Sequence, residues 1–194
     1  MCSRGFKSCV ATGGTCSCGT LRADFFVVPT ATCRLLFVLL ILTHERRRVV
    51  HIAVIDHPTA AWTAQQLRET FPWDEAPQYL VDDRDSAFNA WATTATAIGI
   101  AEVVTAVRSP WQNAYAERLI GSIRRECLDH LIIGNERGLH RVLHAYVEYC
   151  LKSRTHLSLD KDAPVSRPVA SPSDGEMAIP QLGGLHHRYE RRAA

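Results

Sequence analysis

The chain has 194 residues, of which 46% are hydrophobic and 22% are charged. This length suits one domain with a substantial core, and the composition excludes an intrinsically disordered chain. The formal net charge of +2 is too small to indicate a nucleic-acid-binding surface, so any such surface must come from local clusters of arginine.

The cysteines and the apolar segments exclude several further classes. The chain has seven cysteines, but Cys16 and Cys18 stand as an isolated pair, whereas a structural zinc site needs four ligands. With no secretory signal visible, reduced thiols and a cytoplasmic location are predicted. The most apolar run is Leu35–Leu42. Because a membrane span needs about 20 residues, we predict a buried strand and no membrane partner.

Three strands are predicted in the first part of the chain. Residues 1–22 show no periodicity and are expected to form an irregular lead-in. Runs of aromatic and β-branched residues then predict strands at Asp24–Val28, Leu35–Thr43 and Val49–Ile55. The short connections between these strands predict an antiparallel meander.

Helices and strands alternate in the rest of the chain. The predicted elements are a helix at Ala60–Phe71 capped by Thr59, a strand at Tyr79–Val81, a helix at Ser86–Ile98 closed by Gly99, a strand at Ala101–Val107, a helix that contains Glu117 and is ended by Gly134, and a helix at Glu136–Ser153 capped by Asn135. This order predicts an α/β fold, a mixed five-stranded sheet flanked by helices. Residues 166–194 are expected to form an extended basic tail.

Three acidic residues are candidate catalytic groups. Asp24 opens the first predicted strand, Asp83 follows the fourth, and Glu117 lies in the first turns of a later helix. If the first and fourth strands are neighbours, all three carboxylates converge at one edge of the sheet. Such a cluster repels itself without a cation, and oxygen ligands favour Mg²⁺ or Mn²⁺. Two such ions can clamp an in-line phosphoryl transfer.

Each of these residues also has a structural interpretation. An Asp beside a strand often belongs to a turn or a helix cap, and a Glu in the first turn of a helix interacts favourably with the helix dipole. Two histidines of the last helix, His140 and His144, are spaced for metal binding, but no third ligand is evident.

Three sequence blocks resemble one known family. The blocks are ADFFVVPT with Asp24, YLVDDRDSAF with Asp83 five residues before Phe88, and SPWQNAYAERLIGSIRREC with Glu117 at the end of an Asn-Ala-x-x-Glu pattern. They resemble the catalytic cores of integrases and transposases of the retroviral-integrase superfamily, most closely those of bacterial insertion sequences. YCLKSRTHLSLDKDAP, with Arg154 and His156, is similar to the end of that core. Asp85 fits the spacing less well than Asp83.

The resemblance implies a ribonuclease-H-like fold over residues 23–165. It further implies that Asp24, Asp83 and Glu117 hold two Mg²⁺ (or Mn²⁺) ions, which support nicking of a DNA strand and its transfer to target DNA. DNA contacts are expected from the helix that carries Glu117: Asn113, Arg118, Arg124 and Arg125. The small residues Ala114, Ala116 and Gly121 would let DNA approach. The implied partners are transposon ends, target DNA and a second protomer.

Some features depart from the family pattern. Residues 1–22 do not resemble the family, no helix-turn-helix precedes Asp24, and Asp82 stands where a basic residue is frequent. Two alternatives to strand transfer therefore remain at this point. One is a catalytically inactive DNA-binding remnant of a transposase, and the other is a generic ribonuclease-H-like nuclease.

Overall fold

A five-stranded mixed sheet forms the centre of the computed structural model, which describes residues 19–44, 46, 48–71, 77–82, 91–106, 113–166 and 176–191. The strands are β1 (Thr20–Pro29), β2 (Leu35–Thr43), β3 (Val49–Ile55), β4 (Tyr79–Asp82) and β5 (Ala101–Val104). Their spatial order is β3-β2-β1-β4-β5. The first three strands are antiparallel, and β4 runs parallel to both β1 and β5. The predicted meander is confirmed, and the first and fourth strands are neighbours, which is the condition that the convergence of the acidic residues requires.

The apolar run of the sequence is the strand β2. Its residues Val38 to Leu42 have 0% exposure, because β1 and β3 pair with both of its edges and helices cover both faces. The run is therefore a buried strand, as its length predicted. In the described part of the chain, no helix is long and apolar enough to cross a membrane.

Four helices cover the two faces of this sheet: α1 (Ala60–Thr70), α2 (Trp91–Ala97), α3 (Ala114–Glu126) and α4 (Glu136–Lys152). One apolar cluster joins α3 and α4 to the sheet and includes Phe26 and Val28 of β1. The other joins α1 and α2 and includes Leu21 and Ala23. Because side chains alternate along a strand, Asp24 belongs to the face covered by α3 and α4.

Three helix ends have the capping residues that the sequence predicts. The Thr59 hydroxyl accepts a hydrogen bond from the Trp62 N–H (3.2 Å), and Asn135 Oδ1 accepts one from the Gly138 N–H (2.8 Å). After α2, Gly99 has a φ of +80° and its N–H donates to the Thr96 carbonyl at 3.1 Å. The Ile100 N–H donates to the Ala95 carbonyl at 2.8 Å. These two bonds form a Schellman motif, in which glycine accepts the left-handed conformation without strain.

Three predicted boundaries are wrong by three or more residues. The fifth strand ends at Val104 rather than Val107, since Thr105 and Ala106 are not in a strand. The first strand begins at Thr20 rather than Asp24, because Thr20–Arg22 pairs with β4. Helix α3 ends at Glu126 rather than at Gly134. Cys127 leaves the helical conformation and is fully buried, and a single 3-10 turn at Leu128–His130 follows. The second helix is described from Trp91, and the proposed start at Ser86 lies outside the described residues.

The segment predicted as a tail contains a β-hairpin. Strands β6 (Glu176–Gln181) and β7 (His186–Arg191) pair in antiparallel register around Leu182–Gly184. Leu182 packs against the α3 and α4 cluster. The sequence of this hairpin does not predict strands, because polar and apolar residues alternate only weakly in both segments.

Candidate active site

An open groove lies between β1 and α3, with a volume of about 530 Å³. Its walls are formed by Asp24, Phe25, Phe26 and Val27 of β1 and by Glu117, Ile120, Gly121 and Arg124 of α3. Two of the three acidic residues predicted from the sequence therefore face the same space, although they are distant in the chain. The strand and the helix that carry them are held together by the apolar cluster beneath the groove.

Asp24 lies in the middle of β1 and is half-buried. One carboxylate oxygen, Oδ1, accepts a hydrogen bond from the Phe25 N–H at 2.8 Å. The other, Oδ2, accepts one from the side-chain amide of Asn113 at 3.1 Å. A carboxylate oxygen has two lone-pair sites, so these bonds orient the group and remain compatible with a cation on the same oxygens.

Asn113 immediately precedes α3 and is 5% exposed. Its side chain makes no capping hydrogen bond to the helix. Instead, its Nδ2 donates to the Ala23 carbonyl at 3.2 Å as well as to Asp24. The structure therefore places this proposed DNA contact in the interior, against the first acidic residue.

Glu117 lies in the first turn of α3 and its side chain is exposed. At this position a carboxylate interacts favourably with the partial positive charge of the helix N-terminus. That interaction alone would not explain why the side chain faces the groove. The shared groove with Asp24 is the feature that distinguishes this carboxylate from an ordinary first-turn acid.

Arg124 supplies positive charge to the same groove. It lies seven residues after Glu117 and on the same face of α3, as the spacing predicts. Its Nη2 donates to the Val27 carbonyl at 3.2 Å, and its guanidinium carbon lies 5.7 Å from the centroid of the Phe26 ring. These contacts fix the cation over β1.

The other two arginines of this helix lie apart from the groove lining. Arg118 is exposed and lines a second pocket of about 340 Å³ on the other side of α3, together with Arg154 and His156. Arg125 is also exposed, and a Cβ added at Gly121 would lie 3.1 Å from its Nη1. Gly121 thus gives room to a neighbouring arginine.

The small residues before Glu117 have different surroundings. Ala116 has 0% exposure and belongs to the apolar cluster under α3, so its expected role in DNA approach is wrong. Ala114 is exposed.

The third predicted acid, Asp83, lies outside the described residues, as do Asp85 and Phe88. The neighbouring Asp82 ends β4 and is 1% exposed. The parallel ladder between β1 and β4 ends with the pair Arg22 and Val81. Arg22 lies two residues before Asp24 on β1, and Val81 lies two residues before Asp83 in the sequence.

The donors in the groove suit a divalent cation that prefers oxygen. Asp24 and Glu117 contribute carboxylates, and the described residues that line the groove include neither histidine nor cysteine. No cluster of three potential metal ligands occurs among the described residues, from which Asp83 is missing. His140 and His144 lie with their rings 4.2 Å apart on α4 and likewise gain no third ligand in the described chain.

A polar network that the sequence analysis did not identify joins α3 to α4. Glu126 Oε1 accepts from Arg154 Nη2 at 2.5 Å, and Glu126 Oε2 accepts from the Tyr146 hydroxyl at 2.8 Å. The pKa of Tyr146 is raised, mainly by burial, so its hydroxyl stays protonated. In the sequence, Arg154 belongs to the block that resembles the end of the family's core. In the fold it connects the end of α4 to the end of α3.

The three cysteines in the described chain, Cys33, Cys127 and Cys150, are free thiols. Burial raises the pKa of Cys127 to about 11 and that of Cys150 to about 12. Both groups are therefore neutral at physiological pH and act as part of the core.

Comparison with known proteins shows what this chain is similar to. Residues 98–164 match the family model "Integrase core domain". No curated protein matches the sequence. The structure is similar to the HTLV-2 integrase catalytic core domain in complex with magnesium, with a TM-score of 0.61 and 11% identity over 79% of this chain and 97% of that one.

Two further solved structures have the same fold. A chain of the simian T-cell lymphotropic virus intasome in complex with PP2A regulatory subunit B56 gamma gives a TM-score of 0.59 at 13% identity, covering 91% of this chain and 67% of that one. The catalytic domain of Mos1 mariner transposase gives 0.57 at 12% identity, covering 66% and 69%. The predicted ribonuclease-H-like α/β fold is confirmed, and the comparisons indicate DNA integration or transposition in general.

Proposed function

We propose that this chain, which has an integrase and transposase catalytic core, nicks DNA strands and joins the freed 3′ ends to target DNA in a reaction that depends on divalent metal ions. The observation that carries the proposal is the convergence of Asp24 and Glu117 on one groove that also contains Arg124. Two carboxylates that line one groove repel each other, and a cation bound in the groove would relieve this repulsion.

Asp24, Asp83 and Glu117 are the residues proposed to hold two Mg²⁺ or Mn²⁺ ions. When bound, such ions activate the attacking oxygen and neutralise the charge that develops on the leaving oxygen. The magnesium in the similar HTLV-2 integrase core supports this choice of metal. Asp83 enters the set through its sequence block and through the ladder that brings β4 beside β1.

The arginines of α3 are proposed to contact the DNA backbone. Arg124 takes part in no ion pair with another described residue, so its charge is available to a phosphate that enters the groove. Arg118 and Arg125 are exposed on the same helix but outside the groove lining, so they are proposed to contact DNA phosphates beyond the groove. Asn113 remains within the site as a buried residue on the Asp24 side of the groove.

The proposed partners are the two ends of a mobile DNA element, the target DNA and a second protomer. Joining two DNA ends to one target requires two sets of catalytic carboxylates held together. The likeness to the dimeric form of the HTLV-2 integrase catalytic core supports an assembly of more than one copy.

The test is nicking of a supercoiled plasmid and joining of a labelled duplex with free 3′ ends, both measured with Mn²⁺ and with Mg²⁺. Glu117→Gln preserves the size of the side chain and removes the charge. We expect nicking to fall about 100-fold or more, since even an outer-shell partner of a metal ligand contributes 10–100-fold.

Glu136→Gln is the matched control, because Glu136 lies in the first turn of α4 as Glu117 does in α3 and is likewise exposed. We expect this variant to retain wild-type activity. Folded protein that binds DNA without nicking it under either metal would contradict the proposal, as would equal activity in wild type and Glu117→Gln.

A further inference from the structure

We propose that Asn113 is a positioning residue that holds Asp24 in place for the metal ion, and that it acts from the interior rather than by contacting DNA. This inference rests on the proposed function. It assigns the residue a role that its place in the Asn-Ala-x-x-Glu pattern did not reveal.

The side-chain amide of Asn113 makes two hydrogen bonds to β1. Asn113 Nδ2 lies 3.1 Å from Asp24 Oδ2 and 3.2 Å from the Ala23 carbonyl oxygen. Both partners are acceptors, so the amide must present its NH₂ group to them, because the reversed orientation would bring three oxygens together. The bond to Asp24 is charge-assisted and therefore stronger than a bond between neutral groups.

The side chain of Asn113 does not cap helix α3. Asparagine is among the best helix caps, and Asn135 caps α4 with a 2.8 Å bond to the Gly138 N–H. Asn113 occupies the equivalent place before α3 but makes no capping bond. Its side chain turns instead to the carboxylate of β1, so helix capping does not explain the choice of residue.

Asn113 lies at the junction of the two elements that carry the carboxylates. It joins β1, which carries Asp24, to the start of α3, which carries Glu117 one turn later. With 5% exposure it is shielded from solvent. A hydrogen bond at this junction fixes one carboxylate relative to the helix that bears the other. Hydrogen-bond partners of metal ligands commonly have this function.

The test is Mn²⁺ affinity, measured by titration calorimetry on the full chain without DNA. Asn113→Ala removes the donor, and Asn113→Leu removes it while approximately preserving volume. We expect both variants to bind Mn²⁺ about 10–100-fold more weakly than wild type. If both variants lose Mn²⁺ affinity, the missing hydrogen-bond donor is the cause, because only Asn113→Ala also leaves a large cavity.

Asn135→Ala is the matched control. It also removes an asparagine from the N-terminus of a helix, but the side chain of Asn135 bonds to the Gly138 N–H and not to Asp24 or Glu117. We expect it to lower the melting temperature without changing Mn²⁺ affinity. Glu117→Gln is the reference that reports loss of the metal site itself. Melting temperatures of all variants, measured without metal, separate stability from affinity.

The outcomes distinguish this inference from the proposed function. If wild type binds Mn²⁺, Glu117→Gln loses the binding and the Asn113 variants match wild type, the positioning role is wrong and the proposed function stands. If Glu117→Gln does not weaken binding, the metal site is wrong and both proposals fail with it.

Discussion

Arg124 makes two contacts with the protein that leave its charge unpaired by any described acid. It donates to the Val27 carbonyl and lies over the Phe26 ring. If it binds a phosphate in the groove, Arg124→Gln should weaken DNA binding across sequences and reduce the slope of log affinity against log salt by about 1. Fluorescence anisotropy with a labelled duplex at several salt concentrations measures this slope.

Arg141→Gln provides the control for this change, because Arg141 is an exposed arginine on α4 and lies outside the groove. It should leave the slope close to that of wild type. An equal decrease in both variants would mean that the protein binds DNA through its overall charge, and that Arg124 has no particular place in the interface.

At the residue scale, sequence patterns predicted which residues share the groove better than they predicted which residues contact one another. The spacing of Glu117 and Arg124 predicted a shared face because an α-helix brings residues seven apart to the same side. The same reasoning could not find the bond from Asn113 to Asp24. That bond depends on a side-chain rotamer and on the docking of α3 against β1, and neither is encoded by spacing along the chain.

The contact between α3 and α4 depends on a polar network as well as on apolar packing. The Tyr146 hydroxyl donates to Glu126, which also accepts from Arg154. Tyr146→Phe retains the buried ring but leaves the carboxylate with one donor fewer. We expect a loss of about 1.5–3 kcal/mol in the free energy of unfolding, the range for hydrogen bonds to charged groups. Urea denaturation measures the change.

Tyr149→Phe is the control on the same helix. The Tyr149 ring stacks on His186 at a centroid distance of 4.6 Å, and that stacking does not require its hydroxyl. A small effect is expected. Should both tyrosine variants lose the same stability, the bond to Glu126 would have no special contribution.

His144 on α4 should make stability depend on pH. Burial, and then the proximity of His140 and His51, lowers the pKa of His144. The unfolded chain, with a histidine pKa near 6.5, therefore binds a proton more readily than the folded chain. Stability should fall as pH decreases through 6.5 towards the lower pKa of the folded state, and it should be unaffected by this group above that window.

The variant His144→Asn should therefore show a smaller decrease in melting temperature between pH 7.5 and 5.5 than wild type. His57→Asn is the control, since His57 is exposed in the loop before α1. An unchanged pH dependence in His144→Asn would show that other groups cause the acid sensitivity.

At the element scale, the sequence predicted the sheet and most helices because their apolar patterns are strong. Caps at Thr59 and Asn135 were found because capping chemistry is local. The end of α3 was missed because the chain leaves the helical conformation at Cys127, where no glycine or proline signals a helix end, before Gly134 is reached. The early start of β1 was missed because Thr20–Arg22 is ordered by pairing with a distant strand.

Over the whole molecule, one sheet holds together parts of the site that are remote in sequence. The meander supplies β1 with Asp24, and the parallel strand β4 approaches it from the opposite edge. Helix α3 then crosses the same face with Glu117. The site is thus a product of long-range pairing, and any change that separates α3 from β1 should affect both carboxylates together.

The β6 and β7 hairpin is not part of the five-stranded sheet, because its two strands form a sheet of their own. His186 connects it to the core: its Nε2 is 2.8 Å from the Glu126 carbonyl oxygen, and its ring stacks on Tyr149 at an interplanar angle of 8°. A unit with few buried contacts opens at lower free energy than the core of a domain.

The variant His186→Ala should release this hairpin without unfolding the domain. Hydrogen exchange followed by mass spectrometry should find faster exchange in residues 176–191 and unchanged protection in β1, β2 and β3. His187→Ala is the control, because His187 is exposed on the same strand. Faster exchange throughout the sheet in His186→Ala would instead mean that the hairpin is an integral part of the core, and that its ring contact with α4 stabilises the entire fold.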